Sequence, residues 1–182
     1  GVIDGAYGEE CDGTNLGGET CRTRDFFTGD LACASCRHET ASCRQIMSWG
    51  MGYEHVCVVL DDGTARCWGA NLYGQLGIGT GMSDDTPRLT PQAVVGLSGA
   101  LRIGGSSDRT CAVTSGGSMF CWGRNYAGWT LGNNSTEPAE AHAPLLVLNL
   151  SNAGSFAMSA YHTCVVRLDG TVSCWGLNSE GE

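Results

Sequence analysis

The chain has 182 residues, with ten arginines, no lysine, 19 acidic residues and a formal net charge of −9. Because phosphate affinity comes from clustered lysine and arginine, this charge argues against a nucleic-acid partner and against a polybasic membrane-surface binder. The most apolar stretch, residues 144–150, is far shorter than the roughly 18 residues of a membrane-spanning helix, so no membrane span is predicted. With 28 glycines and four prolines, the composition predicts an all-β chain with many tight turns.

Five of the eleven cysteines lie in the first 43 residues, so residues 1–44 form a candidate disulfide module. Five is an odd number, and one of them therefore has no partner inside the module. The module cysteines are Cys11, Cys21, Cys33, Cys36 and Cys43.

The same module carries acidic and amide side chains around glycine-rich turns, which are the hard oxygen ligands that Ca²⁺ prefers. The sequence contains no EF-hand-type loop, and solvated acidic loops are the alternative interpretation. We expect no cofactor. Calcium is the one metal ion that this module could bind, and its candidate ligands are Asp4, Glu10, Asp12 and Asn15.

The other six cysteines form three pairs with the same internal spacing of ten residues: Cys57/Cys67, Cys111/Cys121 and Cys164/Cys174. The second member of the pair recurs after 54 and then 53 residues, and each time it opens a Cys-Trp-Gly triplet. A fixed period of this length is typical of a repeat architecture. The period divides residues 45–182 into repeats at about 45–98, 99–151 and 152–182, the last of them truncated.

Each pair flanks a candidate β-hairpin, because the segments 61–63, 115–117 and 168–170 suit a three-residue loop that ends in a left-handed glycine. If the residues next to the loop face each other, the two cysteines of each pair also lie directly opposite. Opposed Cβ atoms are roughly 4.5–5.5 Å apart, close to disulfide range. We predict three disulfides, with buried free thiols or metal ligation as the alternatives. Disulfides indicate an oxidising compartment, so a secreted, cell-surface or periplasmic protein is expected.

The segments His55-Val56-Cys57, Cys67-Trp68-Gly69 and Asn71-Leu72-Tyr73-Gly74-Gln75-Leu76-Gly77 resemble the regulator-of-chromosome-condensation repeat. In that family each repeat supplies about one four-stranded blade of a seven-bladed β-propeller. Two to three blades cannot close a ring, so the resemblance implies a partial, unclosed propeller. Either the chain is a segment of a longer protein, or a neighbouring chain or the missing blades complete it.

Secreted bacterial versions with the cysteine pair are the nearer resemblance, and protein recognition is the function that the family implies. Residues 1–44 are similar to a cysteine-rich repeat of secreted deltaproteobacterial proteins, through Gly8-Glu9-Glu10-Cys11-Asp12-Gly13 and Asn15-Leu16-Gly17-Gly18. That repeat has a further cysteine before the position of Gly1. Its absence here accounts for the odd number.

No catalytic motif is present, and no enzyme activity is expected. His55, Arg109 and His162 share one repeat position, which indicates hydrogen bonds that hold a blade turn. The tryptophans of the three Cys-Trp-Gly triplets are expected to pack between blades.

Residues that depart from the repeat are better candidates for a binding surface, because Trp, Tyr and Arg dominate interaction hot spots. The candidates are Tyr73, Arg124, Tyr126 and Trp129, with packing inside their own loops as the alternative. The sequence therefore predicts an extracellular, non-catalytic module that binds protein or glycan through propeller loops. The alternative is a structural component of a surface fibre or sheath, assembled through open blade edges.

Overall fold

The computed structural model describes residues 2–3, 8–81, 84 and 86–177. The chain separates into two compact units, residues 1–46 and 47–182, whereas the sequence placed the boundary between residues 44 and 45. Within the described ranges, no helix has the length and the apolar character needed to cross a membrane.

The N-terminal unit has little regular structure and is held by two disulfides, Cys11–Cys33 and Cys21–Cys43. A 3₁₀ turn spans Arg22–Arg24, and strands β1 (Ala32–Ala34) and β2 (Arg37–Glu39) form a short antiparallel hairpin. Among the cysteines, all of which lie in the described residues, Cys36 is the one with a free, exposed thiol. Cys36 is therefore the module cysteine that the odd number leaves without a disulfide partner. A hydrogen bond with Glu9 raises the pKa of this thiol.

The second unit is built from three antiparallel sheets in series, as the repeat predicts. Blade 1 contains β3 (Ile46–Met51), β4 (His55–Leu60), β5 (Ala65–Gly69) and β6 (Arg88–Ala93) in sequential order. Blade 2 contains β7 (Ala100–Ser106), β8 (Arg109–Thr114), β9 (Met119–Arg124) and β10 (Glu140–Leu146). Blade 3 contains β11 (Ala153–Met158), β12 (His162–Arg167) and β13 (Val172–Gly176). The all-β, unclosed propeller expected from the sequence is therefore confirmed.

The central hairpin of each blade has the register that its turn predicts. Gly63, Gly117 and Gly170 adopt the left-handed conformation, with φ of 76°, 75° and 86°. The cysteines of each pair are directly opposite and form the disulfides Cys57–Cys67, Cys111–Cys121 and Cys164–Cys174, each with a Cα–Cα distance of 4.1 Å. In the Asp-Gly-Thr turns, the Asp62 carboxylate accepts from both the backbone N–H and the hydroxyl of Thr64, at 2.9 and 2.7 Å.

The fourth strands tolerate proline because they lie at the blade edge and carry bulges. Pro91 precedes Gln92, which faces Cys67, and Pro144 precedes Leu145, which faces Cys121. An edge or bulge position needs no N–H for the ladder. Within the described residues, β13 pairs with β12 alone, so blade 3 leaves one strand edge open.

A repeated joint connects successive blades. The indole Nε1 of Trp122 in blade 2 donates to the carbonyl of Gln75 in blade 1 at 2.9 Å, and Trp175 in blade 3 donates to Thr130 in blade 2 at 3.2 Å. A Cβ atom at Gly77 would lie 2.7 Å from the Trp122 indole. Glycine is therefore required where the tryptophan of the next blade approaches. Trp122 and Trp175 thus contact the preceding blade as predicted, and Trp122 is fully buried. For Trp68, packing between blades stays a prediction.

Candidate functional site

The shared repeat position of His55, Arg109 and His162 carries side chains that make polar contacts with loops and neighbouring blades. The imidazole of His55 is buried and contacts the Thr110 hydroxyl of blade 2 at 2.8 Å. Burial lowers the pKa of His55 to about 4, so its ring is neutral at pH 7. His162 contacts the carbonyl of Leu177 within its own blade.

Arg109 uses the same position to connect blade 2 to blade 3. Its guanidinium donates to the carbonyls of Thr130, Ser159 and His162. Burial lowers the pKa of Arg109 to about 10, which leaves the side chain charged at neutral pH. In the first two repeats, the predicted turn contacts are therefore contacts to the next blade. No local sequence pattern indicates Thr110 or Gln75 as partners in these joints.

Three of the four predicted surface residues form one stack. The guanidinium carbon of Arg124 lies 4.4 Å from the ring centroid of Tyr73 and 4.4 Å from that of Tyr126. Tyr73 follows β5 of blade 1, whereas Arg124 ends β9 and Tyr126 follows it in blade 2. The packing of two blades therefore places a cation between two aromatic rings, a geometry that cation–π attraction stabilises.

Asp108, which the sequence did not single out, fixes this stack from the turn between β7 and β8. Its carboxylate accepts a hydrogen bond from the Tyr126 hydroxyl at 2.7 Å and lies 3.8 Å from Nη1 of Arg124. Tyr161, in the turn between β11 and β12, meets Tyr126 edge to face at a centroid distance of 5.3 Å. A third blade thus contributes to the same cluster.

These residues define a surface that we name the tyrosine face: Tyr53, Tyr73, Asp108, Arg124, Tyr126 and Tyr161. Tyr53 is 82% exposed in the turn between β3 and β4, and its backbone N–H donates to the Ser107 carbonyl at 2.9 Å. Four of the five tyrosines of the chain therefore lie at one end of the propeller strands. The repeat itself could have indicated this, because each of these residues lies in a loop, or at the strand end next to a loop, at the same end of its blade.

Trp129, the fourth predicted residue, points elsewhere. It lines a cavity of about 430 Å³ together with Val147, Leu150 and Trp175. This cavity lies along the open edge of β13, whose Ser173–Gly176 segment forms part of its wall. The sequence grouping of Trp129 with Arg124 is therefore not reproduced by the structure.

The calcium candidates do not converge in the part of the chain that the structure describes, where no three His, Cys, Asp or Glu side chains form a metal-binding group. Glu10 accepts a hydrogen bond from the backbone of His38 at 3.2 Å, and this contact lowers its pKa. Asp12 and Asn15 pair through their backbones at 2.9 Å. Asp4 lies outside the described residues, and calcium binding stays a prediction.

Comparison with known proteins gives the repeat its identity. Residues 46–75, 102–128 and 155–182 match the model of the regulator of chromosome condensation (RCC1) repeat. The chain carries RCC1 repeats. The probable E3 ubiquitin-protein ligase HERC6 of Homo sapiens is 30% identical over 76% of this chain, and HERC4 of Homo sapiens is 29% identical over the same share. The chain spans 14% of HERC6 and 13% of HERC4, so the similarity concerns a small part of each relative.

Solved structures show the same fold for the RCC1 repeats. The crystal structure of Kap60 bound to yeast RCC1 (Prp20) matches with a TM-score of 0.61 and 19% identity, over 83% of this chain and 30% of that one. Human WBSCR16 matches with a TM-score of 0.60 and 20% identity, over 78% of this chain and 36% of that one. At these identities, the likeness establishes the propeller architecture.

Proposed function

We propose that the RCC1 repeats form an extracellular, non-catalytic module that binds a partner protein through the tyrosine face. The observation that carries this proposal is the stack of Tyr73, Arg124 and Tyr126. Three side chains of the types that dominate hot spots meet at one point, and two blades hold them in place. Contacts that are already ordered lose little conformational entropy when a partner binds.

Proteins with a similar fold favour a protein over a glycan as the partner. Yeast RCC1 (Prp20) has been crystallised bound to Kap60, and the Prp20p structure is described together with its binding to Gsp1p and histones. Tyrosine rings also stack on sugars, so a glycan partner remains the competing outcome of the experiment below. The ligase activity named for the HERC relatives is not proposed, because this chain spans only 14% of HERC6 and no catalytic domain of these relatives aligns with it.

The extracellular location rests on the five disulfides. Structural disulfides persist in oxidising compartments and are rare in the cytosol. The resemblance of residues 1–44 to modules of secreted bacterial proteins supports the same location. Labelling of the natural protein with maleimide, before and after reduction, tests this point: we expect one reactive thiol, Cys36, before reduction, whereas eleven would contradict export.

The partner is best captured by a photo-cross-linking residue placed at Tyr53, which is 82% exposed on the tyrosine face. The matched control places the same residue at Leu89 of β6, which is 91% exposed and lies at the outer blade edge. We expect secreted or surface proteins of the native source to cross-link from position 53 and not from position 89. Arg124→Ala should reduce the cross-linked yield at least tenfold, while Arg66→Ala should leave it unchanged.

Equal yields from positions 53 and 89, or a yield that Arg124→Ala does not change, would exclude the tyrosine face as the binding surface. A cross-linked product that a glycosidase degrades and a protease does not would assign the partner to the glycan class.

A second candidate function, assembly through open blade edges, is favoured by one observation. The described part of blade 3 leaves the edge of β13 unpaired beside the cavity that Trp129 lines. An exposed strand edge pairs readily with another chain. If this assembly occurs, the mass measured by light scattering should rise with protein concentration; a constant monomer mass would reject it.

A further inference from the structure

A second cavity lies between blades 2 and 3, at the end of the strands away from the tyrosine face. Its volume is about 430 Å³, and its walls come from β7, β8, β11 and β12 and from the hairpin turns that follow β8 and β12. This volume falls within the range of known small-molecule sites, about 300–1,000 Å³. We name it the seam cavity.

Two arginines line the seam cavity, Arg102 from β7 and Arg167 from β12. Both depart from the repeat. The position of Arg102 is Ser48 in the first repeat and Ser155 in the third. In the same alignment, the position of Arg167 is Leu60 in the first repeat and Thr114 in the second. The joint between blades 1 and 2 therefore has a serine and a threonine where the joint between blades 2 and 3 has two cations.

Neither arginine side chain has a hydrogen bond or an ion pair within the described ranges of the chain, and Nε of Arg167 is buried without a partner. The carboxylate nearest in charge effect is that of Asp169. Hydrogen bonds from Thr171 lower its pKa most, and the positive charge of Arg167 lowers it further. The Oδ1 atom of Asp169 already accepts two bonds from Thr171, at 2.9 and 2.7 Å. Buried polar groups are normally satisfied, so the unpartnered nitrogen indicates that a ligand acceptor belongs here.

Apolar side chains surround the two cations. Leu101 and Leu168 line the seam cavity and are 56% and 76% exposed, and Val166 is 44% exposed beside them. A free inorganic anion would leave this surface uncovered. A carboxylate with aliphatic neighbours would satisfy the guanidinium donors and also cover the leucines.

We propose that the seam cavity binds the carboxylate of an acidic peptide segment that has aliphatic side chains next to the acid. Guanidinium groups suit this task because they present fixed donor pairs to a carboxylate. The site is separate from the tyrosine face and involves different residues, so it holds or fails independently of the function proposed above. It gives the propeller a second contact, specific for negative charge, in a chain whose own net charge is −9.

The test is a titration of the whole chain with the capped peptide acetyl-Leu-Glu-Leu-amide, followed by the side-chain Nε–Hε signals of arginine in ¹⁵N NMR. We expect saturable shifts of the Arg102 and Arg167 signals in the millimolar range or below. The glutamine peptide, acetyl-Leu-Gln-Leu-amide, should bind at least tenfold more weakly. Inorganic phosphate serves as the probe for a simple anion site.

Arg102→Gln and Arg167→Gln should each weaken binding at least tenfold, and Arg66→Gln on β5 is the matched control that should not change it. Because Arg102 is exposed, its replacement is expected to leave the fold intact, which keeps the proposal testable if the Arg167 variant unfolds. The proposal is overturned if the arginine signals show no saturable shifts at glutamate-peptide concentrations about tenfold above the millimolar range. Equal affinity for the glutamine peptide, or phosphate binding as tight as that of the glutamate peptide, also overturns it.

Discussion

The guanidinium of Arg109 donates to the backbone carbonyl of His162, which is the residue at the equivalent position of the next repeat, at 3.2 Å. The same guanidinium also reaches the carbonyls of Ser159 and Thr130. In the preceding joint, His55 makes a single contact with Thr110. One repeat position therefore provides a neutral contact at the first joint, and at the second joint a charged side chain that reaches two carbonyls of the next blade.

Replacing Arg109 by alanine should destabilise the joint between blades 2 and 3. Hydrogen bonds from a charged donor contribute about 1.5–3 kcal/mol each, and their loss leaves buried acceptors unpaired. We expect the free energy of unfolding to fall by at least about 3 kcal/mol, measured by urea denaturation. Arg66→Ala, on a half-buried strand position, is the control and should change stability by much less; equal losses in the two variants would contradict a special role for Arg109.

Gly77→Ala should destabilise the chain more than Gly170→Ala does. Both glycines have positive φ, 66° and 86°, so both substitutions carry the same kind of backbone strain, roughly 1–2 kcal/mol. A Cβ atom at Gly77 would also contact the Trp122 indole at 2.7 Å, whereas a Cβ atom at Gly170 meets nothing within 4 Å. The difference between the melting temperatures of the two variants therefore measures the effect of the close contact between position 77 and Trp122. If the two variants melt together, the close approach of Trp122 is not required for stability.

The pH dependence of stability should contain a contribution from His55. Its folded-state pKa of about 4 lies below the value of 6.5 for the unfolded chain, so the unfolded state binds more protons between these values. Stability is therefore fully present above pH 6.5 and is lost as the pH falls towards 4, by up to about 3 kcal/mol. His55→Gln keeps a donor for Thr110 and does not titrate. The difference in unfolding free energy between wild type and this variant should change between pH 7 and pH 4; a constant difference would show that His55 titrates normally.

The three blade disulfides should differ in their resistance to reduction. Cys111 and Cys121 are fully buried, whereas Cys174 is exposed at the open edge of β13. Because thiol–disulfide exchange requires access to a sulfur atom, the Cys164–Cys174 bond should be reduced first. Alkylation at increasing reductant concentrations, followed by peptide mass analysis, measures the order. Simultaneous reduction of all three would indicate that opening is global.

The contacts that could be predicted from the sequence are those between residues close together along the chain. The disulfide pairs are ten residues apart, and a single turn with a left-handed glycine sets their register, so the sequence predicted Cys57–Cys67 and its two counterparts. Tyr73 and Arg124 are 51 residues apart and lie in different blades, and their stacking depends on how the blades pack. Trp129 lines the cavity beside β13 in blade 3, and this contact likewise depends on how the blades pack.

By itself, the sequence determined the repeat period, the hairpins and the cysteine pairs, because these follow from local patterns of turns and spacing. The unclosed propeller followed from the resemblance of the repeat to a known family. Only the tertiary structure decided that Asp108 and Tyr161 join the tyrosine face, that Arg109 connects two blades, that Arg102 and Arg167 share a cavity, and that Cys36 is the unpaired thiol. The physical reason is that contacts between blades depend on the twist and spacing of whole sheets, which no short sequence pattern records.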